Sequence, residues 1–300
     1  MKTNLFSNLK LFTLGLAGIL SLASCSKDED NNTPAPKSIA EIVNTDANFS
    51  LLKAAVEKAG LGTALSSGTL TVFAPDNSAF AEAGIDLALI NAASTGFIDS
   101  VLKYHVVGAK VLSTGVPASD TVKSLLGTNL YASKNSNGVF VNGIKVKAAD
   151  VTASNGVIHV ISNVLIPPTK NIAELVSADA DLSSLLGLVA GYGLVPAVSG
   201  SGKLTVFAPT NAAFSAITSL PDTATVIAIL TSHIIGTNVF ASDLINGDSA
   251  KTLNNNFLLI GLNPASVKIK TSSAPVSNIT AADIIATNGV IHKIDRVLLP

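Results

Sequence analysis

Apolar positions in this chain fall first at helical spacing and then in short extended runs, and they do so twice. Phe49, Leu52, Val56 and Ala59 share one face of a 3.6-residue period, with Gly60 as a stop. Leu182, Leu185, Val189 and Gly193 repeat the arrangement. Ahead of these helices stand Ser38 with Glu41 and Asn171 with Glu174, the spacing of a capping box. Leu70 to Phe73 and Leu204 to Phe207 read as short buried strands, closed by Pro75 and Pro209 because proline cannot continue a central ladder. Asp76 and Thr210 then stand where N-caps are needed. Further helical stretches are expected over about Asp86 to Tyr104 and Asp222 to His233. Each second half turns to strands, with hairpin signals at Asn137-Gly138, Asn142-Gly143 and Asn155-Gly156. Val157 to Ile161 and Val290 to Ile294 are expected as the last buried strands but one. Helices first and strands after predict an α+β fold with a largely antiparallel sheet.

The repetition is one of sequence as well as pattern. Ser38-Ile-Ala-Glu41 returns as Asn171-Ile-Ala-Glu174, and Thr71-Val-Phe-Ala-Pro75 returns as Thr205-Val-Phe-Ala-Pro209. Tyr104-His105 returns as Ser232-His233, and Asn155-Gly-Val-Ile-His159 as Asn288-Gly-Val-Ile-His292. A period above 120 residues is a whole domain, not a solenoid unit. The boundary is expected at Pro167-Pro168, giving domains over residues 37–168 and 169–300.

The first residues carry a different signal. Lys2 and Lys10 make a basic start, and Leu11 to Leu22 form an apolar run too short for the ~20 residues of a spanning helix. It ends in Leu22-Ala23-Ser24-Cys25, which resembles the lipobox of bacterial lipoproteins. That resemblance implies a signal peptide over residues 1–24 and lipidation of Cys25. Residues 25–36 then form a polar, proline-containing tether. The Lys27-Asp-Glu-Asp30 run is similar to a surface-export signal, so the expected location is an outer-membrane lipid anchor, facing the cell surface.

Composition narrows the function. Nineteen basic and twenty acidic residues give a net charge of −1, with no basic face for nucleic acid. Cys25 is the sole cysteine, so no disulfide can form within the chain. Tryptophan is absent, which weighs against aromatic platforms for sugars or bases.

The TVFAP run, the Tyr-His dipeptide and the NGVIH run, in this order and twice over, resemble fasciclin domains. The resemblance covers nearly all of the chain after the tether. It implies two tandem domains, each a wedge of β-strands with N-terminal helices. It also implies adhesion or matrix contact without enzymatic activity. In matrix members the Tyr-His region is implicated in receptor contact, which makes Tyr104, His105 and His233 partner-binding candidates here. The second copy departs from the pattern, since Ser232 replaces the tyrosine.

Other chemistry is thin. The four histidines lie in the repeated motifs, without an i,i+4 pair or a cysteine beside them, so a metal site is not expected. Their expected role is structural, each ring bonding a nearby backbone group. Gly200-Ser-Gly-Lys203 lacks the upstream glycine and the Ser or Thr of a phosphate loop, and it aligns with a turn in the first copy. No nucleophile elbow is present. No catalytic residue and no cofactor is therefore expected. The predicted function is a non-enzymatic surface protein binding an extracellular protein or a polysaccharide. The alternatives are an envelope spacer and an accessory to carbohydrate processing.

Overall fold

A computed structural model of the chain describes residues 35–116, 119–217, 221–244, 247–263, 266–270 and 276–299. The expected leader, Cys25 and nearly all of the tether lie outside the described residues. Pro36–Pro300 forms one compact unit, and among the described residues no helix is long and apolar enough to cross a membrane.

Each copy starts with a helix capped by its own side chains. In the first copy Ser38 and Glu41 form a reciprocal capping box on α1 (Ile39–Thr45). Then follow α2 (Ser50–Ala59), α3 (Gly62–Ser66) and strand β1 (Leu70–Pro75). Gly60 ends α2 in the left-handed conformation, φ 68°, where a side chain would be strained. Asp76 caps α4 (Asn77–Glu82) through the Ala79 amide at 2.8 Å. The helical stretch expected over about Asp86 to Tyr104 consists of two helices, α5 (Leu87–Ala92) and α6 (Thr95–Tyr104). Ser94 interrupts it: its extended backbone and its hydroxyl cap α6, as Asp86 caps α5.

Strands follow: β2 (Val106–Val107), β3 (Ser119–Lys123), β4 (Asn129–Asn135), β5 (Gly138–Val141), β6 (Ile144–Ala153) and β7 (Gly156–Ile161). They form one seven-stranded sheet in the order β2-β1-β7-β6-β5-β4-β3. All pairs are antiparallel except β1 with β7, which run parallel with Val72 opposite Ile158. The NGVIH strand is thus the last of its copy, not the last but one, and it pairs directly with the TVFAP strand.

The second copy repeats the plan with α7 (Ile172–Ala178), α8 (Ser183–Gly191), α9 (Val195–Ser199), β8 (Leu204–Pro209), α10 (Asn211–Phe214) and α11 (Thr223–Ser232). Its strands are β9 (Ile234–Ile235), β10 (Ser249–Lys251), β11 (Phe257–Asn263), β12 (Ser266–Lys270), β13 (Ser277–Ala286) and β14 (Gly289–Ile294). The sheet order, β10-β11-β12-β13-β14-β8-β9, is the same one read from the other edge, and β8 with β14 is again the parallel pair.

Apolar side chains collect on both faces of each sheet. In the first copy Ile39, Leu52, Val72, Ile98 and Ile158 pack under the helices. Phe73, Tyr104, Leu130, Val141 and Ile161 pack on the strand side. Close approach fixes one position in each copy. A Cβ on Gly156 would lie 1.9 Å from the Leu70 carbonyl oxygen, and one on Gly289 would lie 2.1 Å from that of Leu204. Only glycine lets the parallel strands meet there.

Candidate functional site

The repeated motif residues turn inward and bond the backbone. His105, at the end of α6, is buried. Its Nε2 accepts from the Leu165 amide at 2.9 Å, so Nδ1 carries the proton and donates to the Val101 carbonyl at 2.8 Å. His233 does the same with Leu298 and Ile229. Burial holds both imidazoles down to about 4, because the charged form would lose its water.

His159 and His292 use the opposite tautomer. Nδ1 of His159 accepts from the Asp150 amide at 3.2 Å, and Nε2 donates to the Val111 carbonyl at 2.8 Å. His292 makes the matching pair with Asp283 and Val239. Each ring also stacks on the phenylalanine of its TVFAP strand, at 5.5 Å for Phe73 and 5.3 Å for Phe207. The structural role expected of the histidines is what these bonds describe. Among the described residues no three His, Cys, Asp or Glu side chains come together as a metal site.

Other motif residues are ties of the same kind. Asn155 accepts from the Ile39 amide and donates to the Leu65 carbonyl, both at 2.9 Å, and Asn288 repeats this with Ile172 and Val198. The side chain of Asn77 joins α4 to the start of α2, and that of Asn211 joins α10 to α8. Sequence reading missed these asparagines as side-chain ties; their return at matching positions in both copies was the available signal.

Tyr104 and His105 are neighbours that serve opposite sides of the sheet. Tyr104 is fully buried on the strand side. Its Oη donates to the Asn129 carbonyl at 3.1 Å and accepts from Asn142 Nδ2 at 2.8 Å. Burial pushes its hydroxyl up to about 12. Asn142, in the left-handed region at φ 49°, in turn accepts from the Tyr131 amide. Tyr104 therefore braces the β4–β5–β6 strands. Ser232 instead donates to the Leu298 and Ile229 carbonyls. None of the three partner-binding candidates presents a side chain to solvent.

His105 does lie at the floor of a cleft. A cavity of about 390 Å³ opens in the helical layer of the first copy, lined by Phe80, Ile85, Ile98, Val101 and His105. Leu89, Phe97 and Ile166 stand at its mouth, about half exposed. The matching cleft of the second copy, about 350 Å³, has His233 at its floor and Phe214, Val226 and Leu299 on its walls.

The acidic repeat behaves differently in the two copies. Asp150 and Asp283 both sit at a bulge of the long strand with positive φ, 59° and 57°. Burial pulls the Asp150 carboxyl up, but bonds from the Ser113 hydroxyl and amide prevail and hold it below the usual range. For Asp283 burial prevails and raises it, against the Ala241 amide bond and nearby His292, and the Asp243 carboxylate adds to the rise. Burial likewise lowers His292. Their 3.9 Å contact is not an ion pair at neutral pH, because Nδ1 of His292 is there as an acceptor.

A wedge of strands and helices built twice, tied by inward-facing motif residues, defines a tandem-repeat module. The chain belongs to the fasciclin-domain family: the family model matches residues 47–167 and again 180–300. It is 30% identical over 243 residues to the transforming growth factor-beta-induced protein ig-h3 of Sus scrofa, covering 78% of this chain and 35% of that protein. It is 29% identical over 251 residues to periostin of Homo sapiens, covering 78% and 28%. Protein sll1483 of Synechocystis sp. is 42% identical over 139 residues, 45% of this chain and 77% of that protein. The chain thus spans about a third of the length of the first two. A solved fasciclin domain pair from the insect cell adhesion molecule fasciclin I covers 83% of this chain and 96% of its own, at TM-score 0.42 and 20% identity.

Proposed function

We propose that the chain is a non-enzymatic extracellular interaction protein, held at the outer membrane by a lipid on Cys25. In this reading the first domain takes apolar side chains of a protein partner into its helical-layer cleft. The observation that carries it is the cleft itself: an apolar cavity continuous with exposed Leu89, Phe97 and Ile166. Clustered apolar exposure of this sort marks interaction surfaces. The lining offers little to a polysaccharide, whose hydroxyls need polar partners. His105 then acts from below, fixing the end of α6 that forms one wall. The family resemblance supports adhesion, and the motif histidines, already committed to backbone bonds, support the absence of catalysis.

The test is binding of residues 36–300 to an array of matrix proteins and polysaccharides. A saturable protein hit that Phe97→Glu abolishes, with an unchanged melting curve, is the expected result. A hit on polysaccharide alone, or one indifferent to Phe97→Glu, would overturn the assignment of the cleft. A blank array would leave the spacer reading. Incorporation of labelled fatty acid into the full chain, lost in Cys25→Ser, checks the anchor.

A further inference from the structure

The two copies touch through specific parts. The outer face of the β4–β5 hairpin of the first copy lies on the 241–243 turn of the second. Tyr131 packs on Phe240 with ring centroids 5.8 Å apart, over Val290. Ser133 Oγ donates to Asp243 Oδ1 at 2.5 Å, and Asn135 Nδ2 donates to the Ser242 carbonyl at 2.6 Å.

A shift of 128 positions maps β4 onto β11 and the 113–115 turn onto the 241–243 turn. Each copy therefore carries both halves of this contact, a hairpin face and a turn, and one chain uses just one of each. The unused turn, on the first copy, leaves Leu112 42% exposed and Val151 36% exposed. The unused hairpin, on the second copy, leaves Phe257 54% exposed and Leu259 38% exposed.

The unused halves match each other in chemistry. Where Tyr131 meets Phe240, the free pair is Leu259 and Leu112, both apolar. Where Ser133 donates to Asp243, the free pair is Gly261 and Gly115, so donor and acceptor are missing together. Had one remained without the other, docking would desolvate an unpaired polar group at a cost.

We infer that the second-domain hairpin of one chain docks on the first-domain turn of another, giving head-to-tail association of this protein with itself. The contact is heterologous, so the rotation between partners sets whether it closes into a ring or extends into an open chain. It is weaker than its counterpart within the chain. The internal contact gains from tethering, and Ser232 leaves the second hairpin without the tyrosine brace of the first.

Sedimentation of residues 36–300, from about 10 μM to ~1 mM, tests this. The mass average should rise steadily with concentration. Leu112→Lys and Leu259→Lys, both at exposed positions, should each remain monomeric with unchanged melting curves. Mixed in equal amounts, the two variants should form a one-to-one dimer and nothing larger, because each supplies the half the other lacks. A wild-type chain that stays monomeric throughout overturns the inference. So does a variant that assembles like wild type, or a mixture that stays monomeric. None of these outcomes bears on the cleft of the proposed function, which Phe97→Glu probes separately.

Discussion

The two copies share sheet order, caps, histidine tautomers and glycine contacts, yet differ where they meet each other. In the first copy Tyr104, through Asn142, braces a hairpin that leans on its neighbour, and Leu112 stays in solvent. In the second the turn is covered: Phe240 is buried, and Gly143 of the first copy lies against Asp283. The brace is missing there on both sides, since Ser232 stands for the tyrosine and Lys270 for the asparagine. Residues needed for the fold of one domain are thus kept twice, and residues needed for the joint are kept once. Asp150 and Asp283 show the electrostatic consequence, one carboxyl held low and the other pushed up.

The helical layers differ too. The inner cavity beside His233 is about 370 Å³, against about 60 Å³ beside His105. Val198 stands where the first copy has Leu65, which shortens one wall.

The strongest challenge to the shared part of the comparison is Gly156→Ala or Gly289→Ala. Either should cost about 4 kcal/mol or more, since the strands must part. Denaturant unfolding should show equal severity in both copies; a mild effect in one would break the equivalence. Next is Phe240→Ala, expected to cost about 3 kcal/mol, while Leu112→Ala at the matching exposed position should stay within about 0.5 kcal/mol. Calorimetry should then show the Phe240→Ala protein melting in two steps, which would also show residues 37–168 and 169–300 folding separately.

Acid comes third. His105 and His233 are held down to about 4 in the folded state, below an ordinary value of about 6.5. The unfolded chain therefore binds more protons, and stability is lost as pH falls from about 6.5 to 4, by roughly 3 kcal/mol per histidine. Replacing either by Gln should flatten that slope in stability measured against pH. Asp150 and Asp283 should titrate on opposite sides of the ordinary aspartate value when followed by NMR, with Asp283 moving back down in Phe240→Ala.

The smallest effect is Tyr104→Phe, at about 1–2 kcal/mol for the two hydrogen bonds lost. Amide exchange should speed up along β4 and β5, and the second domain should lose protection at the 240–243 turn. If only the first domain responded, the brace would be local and the comparison narrower.

Much of this was legible in the sequence because it acts over a few residues. Capping boxes, the Gly60 and Gly193 stops, the Asp76 and Thr210 caps and the Asn-Gly turns follow from local backbone chemistry, and all stand where the pattern places them. The two-domain organisation followed from repetition, and the family from the resemblance of the repeated motifs. Ser94 as a helix break was readable too, as a capping residue within an apolar stretch, but nothing local ranks that against a continuous helix.

What lay beyond the sequence spans long separations. The parallel pairing of β1 with β7 joins residues 86 apart, which alternation along either strand does not encode. The inward turn of Tyr104, His105 and His233 depends on the strands and carbonyls packed around them, so residue type alone left contact and core as alternatives. The joint could not be read at all. Both copies carry a hairpin, a turn and a bulge aspartate, and only their packing decides which aspartate is covered and which turn stays open. Local free energies determine each domain; the choice between equivalent surfaces is made by the tertiary contact itself.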